Sequence, residues 1–177
     1  MQKILITGGF VFKTPVIKSS LMVPVIIGTK EQKIFVKVSV HDPPFIPPEK
    51  SYINICGEIT KISIQNDNVV IDVRGEIERG LKTEVPQVLT WIPSLKISSD
   101  IINDEILKVS SKLFILLKDK KFSDLKKGDL VSIYGDFWVS ISGTSCVATI
   151  IPKGITLLQK PSFILEEIKE EVGDVFF

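Results

Sequence analysis

Phe122-Ser123-Asp124-Leu125-Lys126-Lys127-Gly128-Asp129-Leu130-Val131-Ser132-Ile133-Tyr134-Gly135 is the stretch on which the fold turns. A polar helical turn ends at Gly128-Asp129, and an alternating strand follows. Val131, Ile133, Phe137, Val139 and Ile141 share one side, and Ser132, Tyr134, Asp136, Trp138 and Ser140 share the other. Successive side chains of a strand point to opposite faces, so this pattern predicts one buried and one wet face. A polar turn at Ser142-Gly143-Thr144 leads into a final strand, Ser145–Leu158, kinked at Pro152-Lys153-Gly154.

Upstream, Tyr52–Ile64 alternates around Ile53, Ile55 and Ile59, with Gly57 in mid-strand where a bend or bulge is commonly placed. Gln65-Asn66-Asp67-Asn68 makes a hairpin turn, and Val69–Glu78 returns with Val69, Ile71, Val73 and Ile77 inward. Arg79–Ile97 is mixed, and Trp91 reads as a core anchor within it. Asp100–Ser111 is expected as a short helix and Lys112–Lys118 as a strand. Three apolar runs open the chain, Lys3–Phe12, Leu21–Ile27 and Lys33–Val40; Ile34, Val36, Val38 and Val40 face opposite to Phe35, Lys37 and Ser39. Four prolines in His41–Pro48 lack amide donors and bias their neighbours to extended geometry, so that segment is either a linker or a stiff crossing between two sheets, and a crossing within one compact unit is favoured. At the far end, the spacing of Phe163, Ile164, Leu165, Ile168 and Val172 predicts an amphipathic helix over Ser162–Val172.

Composition supports a mainly β protein. Of 177 residues, 27 Ile, 18 Val and 9 Thr are β-branched, against a single alanine, Ala148. Branched side chains pack well on a pleated surface and lose rotamer freedom in helices. Lys+Arg is 22 and Asp+Glu 21, so the chain is neither a polycation nor an acidic solvating chain. The charge is uneven: residues 1–48 carry six lysines against Glu31 and Asp42, and residues 162–177 carry five acids against Lys169. One histidine, His41, makes a histidine metal triad or a Ser-His-Asp nucleophile hard to build. Phosphate-binding and dinucleotide glycine motifs are missing. Cys56 and Cys146 lack Cys-x-x-Cys company and read as buried thiols. We therefore expect no catalytic residue, no metal and no cofactor. With neither a secretory leader at Met1-Gln2-Lys3-Ile4 nor an apolar run long enough to span a bilayer, a cytoplasmic location is expected.

The Gly128-Asp129 turn and strand, with the bent strand at Tyr52–Ile64 and its hairpin partner, resemble an OB-fold barrel over roughly residues 50–160. The resemblance is to OB-fold single-stranded nucleic-acid-binding proteins of the archaeal and replication-protein-A type. It implies an OB-like antiparallel barrel at 49–160, an N-terminal β extension at 1–48 packed on it, and an acidic helix with an aromatic tail at 161–177. It also implies a non-enzymatic single-stranded nucleic-acid-binding or replication and repair accessory protein. Bases would stack on the strand-face aromatics Tyr134 and Trp138, and phosphates would meet Lys118, Lys120, Lys121, Lys126 and Lys127. Arg74 either joins that surface or pairs with Asp72 or Glu76. The ending Glu170–Phe177 resembles the C-terminal tip of bacterial single-stranded DNA-binding proteins, which docks on partner enzymes; Phe176 and Phe177 would contact a protein partner. The same two rings could instead cap the barrel or a homo-oligomer interface. The alternative function is a structural or adaptor subunit of a larger assembly, whose barrel and tail bind protein, and the near-neutral body speaks for it.

Overall fold

The computed structural model describes residues 1–28, 33–84, 86–98, 105–117 and 125–159. Those residues form eleven strands and no helix: β1 (Lys3–Val11), β2 (Val16–Ile17), β3 (Leu21–Gly28), β4 (Lys33–Val40), β5 (Tyr52–Gln65), β6 (Asn68–Arg79), β7 (Gln87–Lys96), β8 (Ile106–Ser110), β9 (Leu113–Leu116), β10 (Leu130–Ser142) and β11 (Ser145–Gln159). The alternation read from sequence is the alternation of burial. Val131, Ile133, Phe137 and Val139 are buried on β10, Ile34, Val36, Val38 and Val40 on β4, and Val69, Ile71, Val73 and Ile77 on β6. Ile141, expected inward, is partly exposed where β10 runs out past the core.

All eleven strands belong to one sheet in the order β2-β3-β4-β6-β5-β1-β7-β10-β11-β9-β8, with β3 also pairing to β1. The pairings β1–β3, β3–β4, β4–β6, β6–β5 and β5–β1 run round a ring, and only β4–β6 is parallel. The ring's seam is short, with Phe10 opposite Ile26 and Val11 opposite Val25. Gly57 and Gly75 oppose each other where β5 and β6 curve; a Cβ on Gly75 would lie 2.5 Å from the Gly57 Cα, so only glycine permits this approach.

The second half repeats the pattern. β7, β10, β11, β9 and β8 pair in that order, with β9–β11 parallel and the other three pairings antiparallel. Matching β1, β3, β4, β5 and β6 to β7, β8, β9, β10 and β11 thus gives two five-strand units of the same connectivity. They are joined by the antiparallel first strands, with Leu5 opposite Leu89. Among the described residues the second unit has no β7–β8 pairing to close it.

Three expectations change. The strands between residues 49 and 160 do not close into one barrel, because β5 and β6 pair with β1 and β4 rather than with β7–β11. Residues 1–48 supply three of the five strands of the first ring. Within the helix expected over Asp100–Ser111, Ile106–Ser110 is strand β8, where Leu107 is buried and Lys108 exposed in strand alternation; pairing to β9 overrides the local helical reading. The strand expected at Lys112–Lys118 is present as β9. The amphipathic helix at Ser162–Val172 lies outside the described residues.

Candidate nucleic-acid interface

Strands β3 and β4 turn one face to the core and Met22, Pro24, Ile26, Phe35, Lys37 and Ser39 to the outside. Phe12, just past β1, donates its backbone N–H to the Pro24 carbonyl at 3.3 Å. That bond sets its ring against Phe35, edge to face, with centroids 5.4 Å apart at 78°. The β5–β6 hairpin closes one side. Asn66 and Asp67 both adopt positive φ (50° and 61°), the two-residue turn whose twist matches its strands and which Asn and Asp tolerate best. The parallel pairing of β4 with β6 carries this turn to the edge of β4, where Lys37 Nζ donates to Gln65 Oε1 at 3.3 Å. The result is a groove of about 190 Å³ whose lining includes Phe12, Pro24, Phe35, Lys37, Gln65 and Asn66. Exposed Lys33 and Lys37 flank Phe35 on β4, and exposed Lys13 and Lys18 lie in the connection from β1 to β3. Of these lysines, Lys37 lines the groove itself.

A second surface crosses the middle of the sheet. Register places Arg74, Glu58, Lys3, Trp91 and Tyr134 in one transverse row on β6, β5, β1, β7 and β10. Trp91 and Tyr134 are both exposed; Trp91 Nε1 donates to Ser132 Oγ at 2.9 Å, and Lys3 Nζ lies 4.9 Å from the Trp91 ring centre. Arg74 pairs with Glu58 at 3.4 Å, not with Asp72 or Glu76. The next row holds Glu76, Cys56, Leu5, Leu89, Asp136 and Ile151, and Lys153 pairs with Asp136 at 3.6 Å.

Tyr134 and Trp138 do share this face, but four residues of strand separate them by about 13 Å, with Asp136 between. Trp138 is half-buried against the core and walls a shallow pocket of about 520 Å³ with Gln87, Asp136 and Thr149. The direct neighbour of Tyr134 is Trp91, on the adjoining strand, where opposed side chains stand about 5 Å apart. Lys126 and Lys127 sit in a turn stitched to the end of β7: the Lys126 amide donates to Asp129 Oδ2 at 2.9 Å, and the Gly128 amide to the Ile97 carbonyl at 2.7 Å. Both lysine side chains are exposed, at the far end of β10 from Trp138. Lys118, Lys120, Lys121, Phe176 and Phe177 lie outside the described residues.

No family model matches the sequence, and no curated protein matches it. Among solved structures the chain is similar to the wild-type single-stranded DNA binding protein from Thermus aquaticus. The TM-score is 0.51 at 11% sequence identity, over 90% of this chain and 94% of that one. The two chains share a fold. At this identity the likeness is one of fold, so side-chain roles rest on this chain's own residues.

The remaining chemistry is sparse. Cys56 is exposed and Cys146 buried, so the expectation of two buried thiols holds for one. Burial pushes the Cys146 thiol above its ordinary range, opposed by the charge of Lys112. Among the described residues no cluster of His, Cys, Asp and Glu has the makings of a metal site.

Proposed function

We propose that the chain binds single-stranded nucleic acid along the outward face of β3 and β4, without catalysis. The observation that carries this reading is the Phe12–Phe35 pair set in a groove and flanked by Lys33 and Lys37. Bases stack on the phenylalanine rings, which serve any base because every base has a π-face. Phosphates meet Lys13, Lys18, Lys33 and Lys37. The turn at Gln65–Asn68 supplies amides to base edges. In an OB-fold, the second and third strands and the turn between the last two form the usual ligand surface. In the first ring these are β3, β4 and the β5–β6 hairpin. The fold likeness to a single-stranded DNA binding protein supports the same reading.

In this reading the stacking role foreseen for Tyr134 and Trp138 passes to Phe12 and Phe35, because the charges of the central face cancel. A replication or repair accessory role follows, with the acidic tail ending at Phe176-Phe177 recruiting a protein. The test is photo-cross-linking of a halogenated-uracil oligonucleotide, with the attachment sites read by mass spectrometry. Adducts on the peptides holding Phe12 and Phe35 are expected. Adducts confined to those holding Trp91, Tyr134 or Trp138 would move the strand to the central face.

A further inference from the structure

We infer that the bound strand continues from the Phe12–Phe35 groove across the seam of the first ring to a second stacking station, formed by Phe10 and Tyr52. The inference rests on that groove being the site of the single strand. β1 starts with its even-numbered residues inward, and Ile4 and Ile6 are buried. A bulge at Gly8-Gly9 then adds one residue: Ile6 stands opposite Ile55, but Gly9 stands opposite Ile53. The extra residue reverses the alternation, so Val11 is buried and Phe10 and Phe12 point outward. Without it Phe10 would enter the core. Gly8 takes a φ of 79° to make the bulge, and its N–H is held by Asn54 Oδ1 at 3.1 Å. Bulges that re-aim a side chain are over-represented next to functional sites.

The reversal produces a stripe of four rings. Phe10 meets Tyr52, its partner on β5, with ring centres 5.3 Å apart at 50°. Phe12 meets Phe35 at 5.4 Å. Phe10 and Phe12 are two residues apart on one extended segment, about 7 Å. Ile26 on β3 stands opposite both Phe10 and Phe35 and bridges the two ring pairs. All five side chains lie on the outer surface and are only partly buried. The backbone between the two phenylalanines is braced: Val11 donates its N–H to the Ser51 carbonyl at 2.9 Å and accepts from the Lys50 N–H at 2.7 Å. Lys50 does so at a φ of 68°, a disfavoured conformation for a lysine that persists only where the surroundings fix it. Rings held in place in this way lose little freedom when a ligand stacks on them.

Continuity, charge and size choose the occupant. The stripe is an unbroken extension of the groove, so a strand leaving the Phe12–Phe35 pair meets the Phe10–Tyr52 pair next. Lys13 follows Phe12 directly, and Glu49 and Lys50 beside it offset one another. Glu78, the acid nearest the far end, accepts from Asn54 Nδ2 at 3.0 Å. From Phe35 to Tyr52 the stripe runs about 18 Å. Successive rings along a line serve successive bases whatever their identity, and two stations bring the footprint toward the roughly 4–16 nucleotides that one OB-fold covers.

The experiment places a reporter at the station. The full chain carrying Tyr52→Trp is titrated with a thymidine oligonucleotide of about 20 nucleotides, alongside the wild type. Trp91 and Trp138 stand on β7 and β10, away from the stripe, so emission lost in the variant beyond that of the wild type reports position 52. Expected is quenching that the wild type does not show. Tyr52→Ala, checked by circular dichroism, should weaken binding of the same oligonucleotide about 5- to 150-fold, the loss of one stacked base, and Phe35→Ala reads the groove in parallel. Binding by Tyr52→Trp without added quenching overturns the inference, and it does so even where Tyr52→Ala fails to fold. A folded Tyr52→Ala chain that binds like the wild type while Phe35→Ala is weakened also overturns it, and leaves the groove standing alone. If neither alanine variant is weakened, the groove and the second station fall together.

Discussion

Removing Lys33 and Lys37 together reads the electrostatics of the β3–β4 face directly. Both side chains are exposed and neither closes the core, so the double Lys33→Ala/Lys37→Ala variant loses little more than the Lys37–Gln65 contact. Each lysine that neutralises a phosphate releases condensed counterions, and log affinity for a single strand falls with log salt by about 0.7 per contact. With phosphates on the four proposed lysines, Lys13, Lys18, Lys33 and Lys37, the slope is about −2.8 for the wild type and about −1.4 for the variant. Between about 50 and 200 mM salt the wild-type affinity should fall about 50-fold and the variant's about 7-fold. The assay is fluorescence anisotropy with a labelled oligonucleotide of about 20 nucleotides, long enough to cover one such face. The diagnostic is the slope, since a loss of affinity at constant slope would point to altered folding. An unchanged slope in the variant would refute the reasoning and place the phosphates elsewhere.

Phe35→Ala removes a stacking surface worth about 1–3 kcal/mol and should weaken oligonucleotide binding about 5- to 150-fold in the same assay, with an unchanged circular dichroism spectrum. Gly135→Ala should lower the melting temperature by roughly 3–10 °C in a thermal melt, because its Cβ would come within 2.1 Å of the Ile151 carbonyl oxygen and force β10 and β11 apart. Gly154→Ala should cost clearly less, since the atoms it meets belong to the exposed Tyr134 ring, which can swing away; equal losses in the two would contradict this account. Of the two thiols, Cys56 should react promptly with a chromogenic disulfide reagent near pH 8 and Cys146 only after unfolding. Burial raises the Cys146 pKa, so its thiolate is scarcer and its reactivity sets in at higher pH. Two equivalents reacting at once in the folded protein would contradict that assignment.

Strand placement was legible because each strand has one buried face. The alternation of Ile34, Val36, Val38 and Val40, and that of Val131, Ile133, Phe137 and Val139, survives intact into the fold. Pairing was not legible, because strand partners are chosen by long-range packing that a local pattern does not encode. The proline run at Pro43–Pro48 invited a division of the chain where the structure keeps β4 and β6 side by side across it. In the first ring the second and third strands, β3 and β4, precede residue 50. Strand parity alone puts Phe35 and Lys37 together on the outward face of β4. Trp91, expected as a core anchor, is exposed instead. Val88, Thr90 and Ile92 are buried in β7, and that alternation puts Gln87, Leu89 and Trp91 on the outward face. The contact between Phe12, just past β1, and Phe35 on β4 is long-range and leaves no trace in the local pattern of either segment.

The central claim is single-strand binding by the basic aromatic face, and the most direct measurement is a low-salt titration of one labelled oligonucleotide as single strand and as duplex. The account predicts saturable binding of the single strand, far weaker binding of the duplex, whose paired bases cannot reach Phe12 and Phe35, and no quenching of tryptophan emission. Failure of the single strand to bind at low salt, or equal affinity for the two forms, would contradict it.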